Sequence, residues 1–213
     1  MTTDRERKLE EALAQFLKPI RGIPFEVVIR ALCNVSVERF DLADAGNAHL
    51  RDVIAKALLA AAQAVRAAPI QRTRPNEVGN DMEPFVIAAL RAQGLDAAAP
   101  RTKAGLGKST GYPDIRVTTA GRPVFLEVKT YAAANHATTQ RSFYLSPADD
   151  PKVFEDGHHL LAGFEMQREG NSFVPTGFVL VDLFGLDCDV KSEFNSDNRR
   201  LYAPERLLAS ERL

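Results

Sequence analysis

Two strand-like runs, Tyr112 to Thr118 and Pro123 to Tyr131, joined by the turn signal Ala120-Gly121, constrain the fold of this chain more than any other feature. Both are rich in Ile, Val, Phe and Thr, residues that suit a pleated, half-buried surface. A loop of two or four residues centred on Ala120-Gly121 sets Asp114 directly opposite Glu127, with Cβ atoms roughly 5 Å apart. Ala is a mediocre partner for Gly in a primed hairpin turn, so an odd-length loop that makes the pair diagonal stays open. In either register both carboxyls remain within reach of one cation. Alternation along the second run gives Val124, Leu126 and Val128 to a core face, and Phe125, Glu127, Lys129 and Tyr131 to the other. Like charges facing each other across a sheet repel, and a bound divalent ion or a raised carboxyl pKa relieves the repulsion.

Acid-any-Lys tripeptides are common, and they end here at Lys8, Lys129, Lys152 and Lys191. Glu6-Arg7-Lys8 belongs to a charged helical pattern. Asp150-Pro151-Lys152 is broken by a proline that cannot donate to a ladder. Asp189-Val190-Lys191 has no Pro-Asp shortly upstream. Glu127-Val128-Lys129 alone combines an apolar strand with a partner, Pro113-Asp114. Two carboxylates and an amine on neighbouring strands are the minimum for magnesium-assisted hydrolysis of a phosphodiester, whose negative charge must be neutralised before water attacks in line. Mg²⁺ takes oxygen ligands and binds through one or two carboxylates while keeping several waters. Asp114 and Glu127 are the expected ligands, with the backbone carbonyl of Val128 as a third. Lys129 is expected to position or deprotonate the attacking water. The bland alternative is a solvated, ion-paired hairpin.

Pro113-Asp114 with Glu127-Val128-Lys129 resembles the signature of the PD-(D/E)XK nuclease superfamily, and the surroundings resemble its type II restriction endonuclease branch. Asn76 to Val86 is similar to the glycine-then-acid opening of the helix before the catalytic strands. Ser142 to Pro147 and His158 to Glu165 add looser similarity, so the resemblance spans about residues 74 to 182. It implies a restriction-endonuclease-like α/β core, a mixed sheet flanked by helices, and a Mg²⁺-dependent endonuclease acting on double-stranded DNA. It also extends a catalytic role to Glu83. Glu83 keeps a second reading: Asn80-Asp81-Met82-Glu83 fits a capping box in which the carboxylate only satisfies a backbone N–H. Within the nuclease reading, a structure-specific repair or recombination enzyme is the alternative. Outside it stands a noncatalytic DNA-binding module with a nuclease-like core.

Residues 4 to 67 are helical in pattern, with Leu9, Leu13, Phe16, Leu17 and then Leu50, Ile54, Leu58 and Leu59 recurring. The expected division is a helical N-terminal region over residues 1–70 and a nuclease core over 71–213, with a helix over 78–93 leading to the hairpin. Further strands are expected at Phe143 to Leu145, His159 to Met166 and Phe173 to Phe184, and a terminal helix from Pro204 to Ala209.

A net charge of −1 and a pI near 6.4 show no general basic footprint, so basic contacts to DNA must be local. The stretch Arg101 to Gly111, with Lys103 and Lys108, reads as a flexible basic loop for phosphates or a plain solvated loop. Its Gly105 to Thr110 portion ends like a phosphate-binding loop, but Thr102 stands where that motif needs glycine, and a strand follows instead of a helix. Base-reading candidates are Asn135, His136, Thr138, Gln140, Arg141 and Ser142, just beyond the second strand, and the run Asn195 to Arg200. Such amides and Arg bond adenine and guanine edges bidentately; ordinary surface loops look the same. Adjacent His158 and His159 point to opposite faces of a strand and cannot chelate one ion together. Cutting at palindromes is naturally served by a homodimer. Cys33 and Cys188 show no disulfide framework or zinc spacing. Met1 to Lys8 lacks the apolar centre of a signal peptide, and no run approaches a membrane span, so a cytoplasmic protein is expected.

Overall fold

The computed structural model describes residues 3–72, 77–135, 137–139, 143–192, 196–201, 203–206 and 209. Two compact units are formed, one from residues 1–23 and 187–213, the other from 24–186. The first contains helix α1 (Asp4–Phe16), opened by a capping box in which Thr3 N–H donates to Glu6 Oε2 at 2.6 Å and Glu6 N–H donates to Thr3 Oγ1 at 3.2 Å. No residue of α1 is buried. In the same unit Val190 N–H donates to the Ile20 carbonyl.

The second unit is a mixed α/β body. Its helices are α2 (Phe25–Cys33), α3 (Ala45–Ala67) and α4 (Val78–Ala92). Its seven-stranded sheet comprises β1 (Val37–Glu38), β2 (Ile70–Gln71), β3 (Asp96–Ala98), β4 (Ile115–Thr118), β5 (Val124–Tyr131), β6 (Gly157–Glu169) and β7 (Ser172–Asp182). The order is β2-β7-β6-β5-β4-β3, with β1 joined to β6. Neighbours are antiparallel except β5 with β6 and β1 with β6, which run parallel.

The hairpin register is the one expected from a turn at Ala120-Gly121: Ile115 pairs with Leu126, Arg116 with Phe125 and Val117 with Val124. Val124, Leu126 and Val128 enter a core shared with Ile54, Leu58, Ala61 and Val65 of α3 and Met82, Val86 and Leu90 of α4. The helical spacing of those apolar residues is what buries them. Thus α3, which the sequence groups with the N-terminal helices, belongs to the core of the sheet.

Other expectations shift. Phe143 to Leu145 is irregular, the run at His159 extends to Gly157–Glu169, and the described part of the terminal helix is one 3₁₀ turn at Pro204–Arg206. Among the described residues no helix is long and apolar enough to cross a membrane.

Candidate active site

The site gathers where β4 begins. Asp114 immediately precedes Ile115, and its Oδ2 accepts the Val128 N–H at 2.8 Å. The hairpin ladder stops at Ile115 and Leu126, so this carboxylate takes the place of the next ladder bond. In a strand the N–H and C=O of one residue project to the same side, so the Val128 carbonyl is directed to the side of β5 on which Asp114 stands.

Alternation places Glu127 and Lys129 together on β5, and Lys129 Nζ lies 2.6 Å from Glu127 Oε1. Glu127 is only 4% exposed, and its Oε2 is buried without a hydrogen-bond partner among the described residues. Burial first, then the charge of Asp114, pushes the Glu127 carboxyl up to about 7, against the opposing pull of Lys129 and Lys152. A buried charge so close to another of its sign is expensive unless a cation arrives.

Glu83 stands in the same electrostatic group. It is half-buried, and burial followed by the charges of Asp114 and Glu127 raises its carboxyl to about 7. The capping-box geometry is not formed, because α4 begins at Val78 with Glu77 as its N-cap, and Pro84 is carried inside the helix. Asn80, the expected start of that box, lies inside the helix, and its neighbour Asp81 meets Arg72 in a bidentate pair at 2.5 and 2.8 Å. Glu83 therefore faces the hairpin carboxylates and does not cap a helix end.

One residue set aside in the sequence belongs here. Lys152 is 6% exposed, and its Nζ donates to the carbonyls of Gly111 at 2.7 Å and Pro113 at 3.1 Å. Burial lowers its pKa, while Asp114, Glu127 and Glu83 pull the other way. Pro151 does keep it out of any ladder, as expected. Absence from a strand does not remove it from the site, because the tertiary fold brings Lys152 against the carbonyls of Gly111 and Pro113.

The remaining candidates are dispersed. The stretch 101–108 is fastened, not free: Arg101 bridges Gly107, Thr102 N–H bonds the Leu106 carbonyl, Lys103 N–H the Pro151 carbonyl and Ala104 N–H Asp150 Oδ1. Lys103 is exposed, and Lys108 Nζ donates to the Asp150 carbonyl at 3.1 Å. As expected, no helix follows Thr110 and β4 does. Asn135 ends an exposed 3₁₀ turn, and its carbonyl accepts both N–H and Oγ1 of Thr138. His136, Gln140, Arg141 and Ser142 lie outside the described residues, as does Asn195. The two histidines part as predicted. His158 Nδ1 is 3.0 Å from the Glu38 carbonyl and its ring packs on Phe40. His159 packs on Phe25 and Phe125 and shares a 2.7 Å hydrogen bond with Tyr112. Burial pushes the His159 imidazole down to about 3 and the Tyr112 phenol well up.

Among the described residues no three Asp, Glu, His or Cys side chains form a ready-made metal cage. The residues nonetheless suit a hard divalent cation. Mg²⁺ needs only one or two carboxylates, and the site holds an unpartnered buried oxygen at Glu127 beside the carboxylate of Asp114. The arrangement can bind such a cation, hold Lys129 next to it and leave Glu83 within its field.

Comparison with known proteins gives a consistent result. A family model described as the type II restriction enzyme MjaV family matches residues 19–205. The chain is 34% identical over 217 aligned residues to the type II restriction enzyme MjaV of Methanocaldococcus jannaschii, covering 94% of each chain. No solved structure matches it.

Proposed function

Since the chain belongs to the type II restriction enzyme MjaV family, we propose that it is a site-specific deoxyribonuclease that hydrolyses phosphodiester bonds of double-stranded DNA with Mg²⁺. The observation that carries this reading is Glu127: a buried carboxylate with one oxygen on Lys129 and the other unpartnered, beside Asp114.

Asp114, Glu127 and the Val128 carbonyl would hold the ion, with Glu83 near enough to hold a second ion or a water. When bound, Mg²⁺ neutralises phosphate charge and makes a coordinated water more acidic. Lys129 Nζ, anchored at 2.6 Å on Glu127 Oε1, is the chain's proton-handling and charge-stabilising group. The Val128 N–H fixes the orientation of the Asp114 carboxylate. Base reading is assigned to the segment after β5, with Asn135, His136, Thr138, Gln140, Arg141 and Ser142, and phosphate contact to Lys103 and Lys108. A homodimer acting in the cytoplasm completes the reading, because a two-fold protein matches a palindromic site.

Digestion of one fully sequenced phage genome with the purified protein and Mg²⁺ tests it. Discrete fragments whose ends map to one short sequence are expected. Cleavage confined to branched or damaged DNA, or DNA binding without any cleavage, would refute it.

A further inference from the structure

We propose that Lys152 is a positioning residue for the cation site, clamping the 111–113 turn so that Asp114 is presented to the ion. The inference rests on the nuclease reading above and adds a residue to its machinery.

An almost fully buried lysine demands partners, because an ammonium strongly disfavours an apolar environment. Lys152 finds them in backbone: the carbonyls of Gly111 and Pro113, which bracket Tyr112. Two of its three N–H donors are thereby used. The Pro113 carbonyl belongs to the peptide bond that leads directly into Asp114. Asp114 is thus held at both ends, its backbone through Lys152 and its carboxylate through the Val128 N–H at 2.8 Å. Between those two carbonyls Tyr112 is hydrogen bonded to buried His159 and stacked against it.

Lys152 is itself placed by its neighbours. Pro151 accepts the Lys103 N–H, Asp150 accepts the Ala104 N–H, and Val153 is buried. The charge also has a purpose beyond the two hydrogen bonds. Lys152 attracts Asp114, Glu127 and Glu83 together and also repels an arriving cation, so the weakening expected on its loss comes from the lost clamp and exceeds the relief of that repulsion.

The test is Lys152→Met, read by Mn²⁺ binding to the free protein in an electron paramagnetic resonance titration and by the Mg²⁺ concentration that gives half-maximal cleavage. Expected is a rise of about tenfold or more in the Mn²⁺ dissociation constant and in that Mg²⁺ concentration, with a smaller fall in the maximal cleavage rate at saturating Mg²⁺. In an Asp114→Asn background the same change should weaken Mn²⁺ binding no further, whereas a general loss of packing would weaken it again. If Lys152→Met does not fold, Lys152→Gln keeps a neutral donor, and a rise of at least about threefold is expected. An unchanged Mn²⁺ affinity in the folded variant overturns the role of Lys152 and leaves the nuclease reading standing if the wild type binds Mn²⁺ and cuts. A wild type that does neither overturns both.

Discussion

Replacing Glu127 by Gln should make the metal-free protein more stable at pH 8 while abolishing cleavage. The unfolded chain releases this proton near 4.5 and the folded chain near 7. As pH rises through that window the unfolded state ionises first, so stability present below 4.5 is lost by the time pH passes 7. Each tenfold change in proton affinity is worth about 1.4 kcal/mol, which sets the penalty of the ionised side chain at about 3 kcal/mol. Gln keeps the shape and an acceptor for Lys129 Nζ, and leaves an unpartnered amide where the orphaned Oε2 stood, at a cost of about 1 kcal/mol. The net gain is about 2 kcal/mol, or roughly 4–8 °C in melting temperature for a chain of this size. Thermal melts in a chelating buffer at pH 8 and pH 5 measure it. At pH 5 the gain should vanish, because the native carboxyl is then protonated. Mg²⁺ added at pH 8 should stabilise the wild type and not the variant. A variant equally or less stable than the wild type at pH 8 without metal would show that the Lys129 pair outweighs burial and repulsion, and would refute the account of a site strained for want of a cation.

Further outcomes follow from the same geometry. Asp114→Asn and Lys129→Met should each lower single-turnover cleavage by at least about a hundredfold with far-UV circular dichroism unchanged; loss of the fold would instead mark a structural ion pair. Ca²⁺ in place of Mg²⁺ should support DNA binding in a mobility-shift assay but not turnover, because its looser shell places water poorly; brisk cutting in Ca²⁺ would contradict the mechanism. Gly157→Ala should destabilise the protein by about 1–3 kcal/mol in urea titration, since its Cβ would stand 2.6 Å from the Pro123 carbonyl oxygen and 2.9 Å from Phe125 Cε2; a neutral effect would mean the β5–β6 contact yields easily.

What the sequence made legible is what local periodicity controls. The period-2 pattern of β5 fixed which side chains meet the α3–α4 core and which meet the site, and the turn residues fixed the register that brings Asp114 beside Val128. Helix α4 was readable from Met82, Val86 and Leu90, and it begins at Val78 as expected from the sequence. The run Asn80 to Glu83 imitates a capping box, and only the helical turn that precedes it, with Glu77 as the N-cap, shows that no helix starts there. Lys152 was invisible for a different reason. Its partners are backbone carbonyls some forty residues away, and backbone carries no sequence signature. The fastening of 101–108 to Asp150 and Pro151 escaped for the same reason, since a Gly- and Lys-rich stretch reads as a free loop whenever its hydrogen bonds are long-range.

The site's burial also has a thermodynamic counterpart on the same pair of strands. His159, paired with Phe125 across β5 and β6, is buried in its neutral form with a proton affinity held down to about 3. As pH falls below 6.5 the unfolded histidine gains a proton that the folded one refuses, so its contribution to stability is lost from 6.5 downward. Glu127 acts in the reverse sense, taking up a proton in the folded state between about 7 and 4.5. The two slopes oppose one another over the mildly acidic range, and Glu83, raised to about 7 as well, adds to the side of Glu127. Above neutrality His159 is silent and the full repulsion of the carboxylates is felt. That is the range in which a divalent cation stabilises the fold most, so binding of the ion and stability of the site are coupled through Glu127.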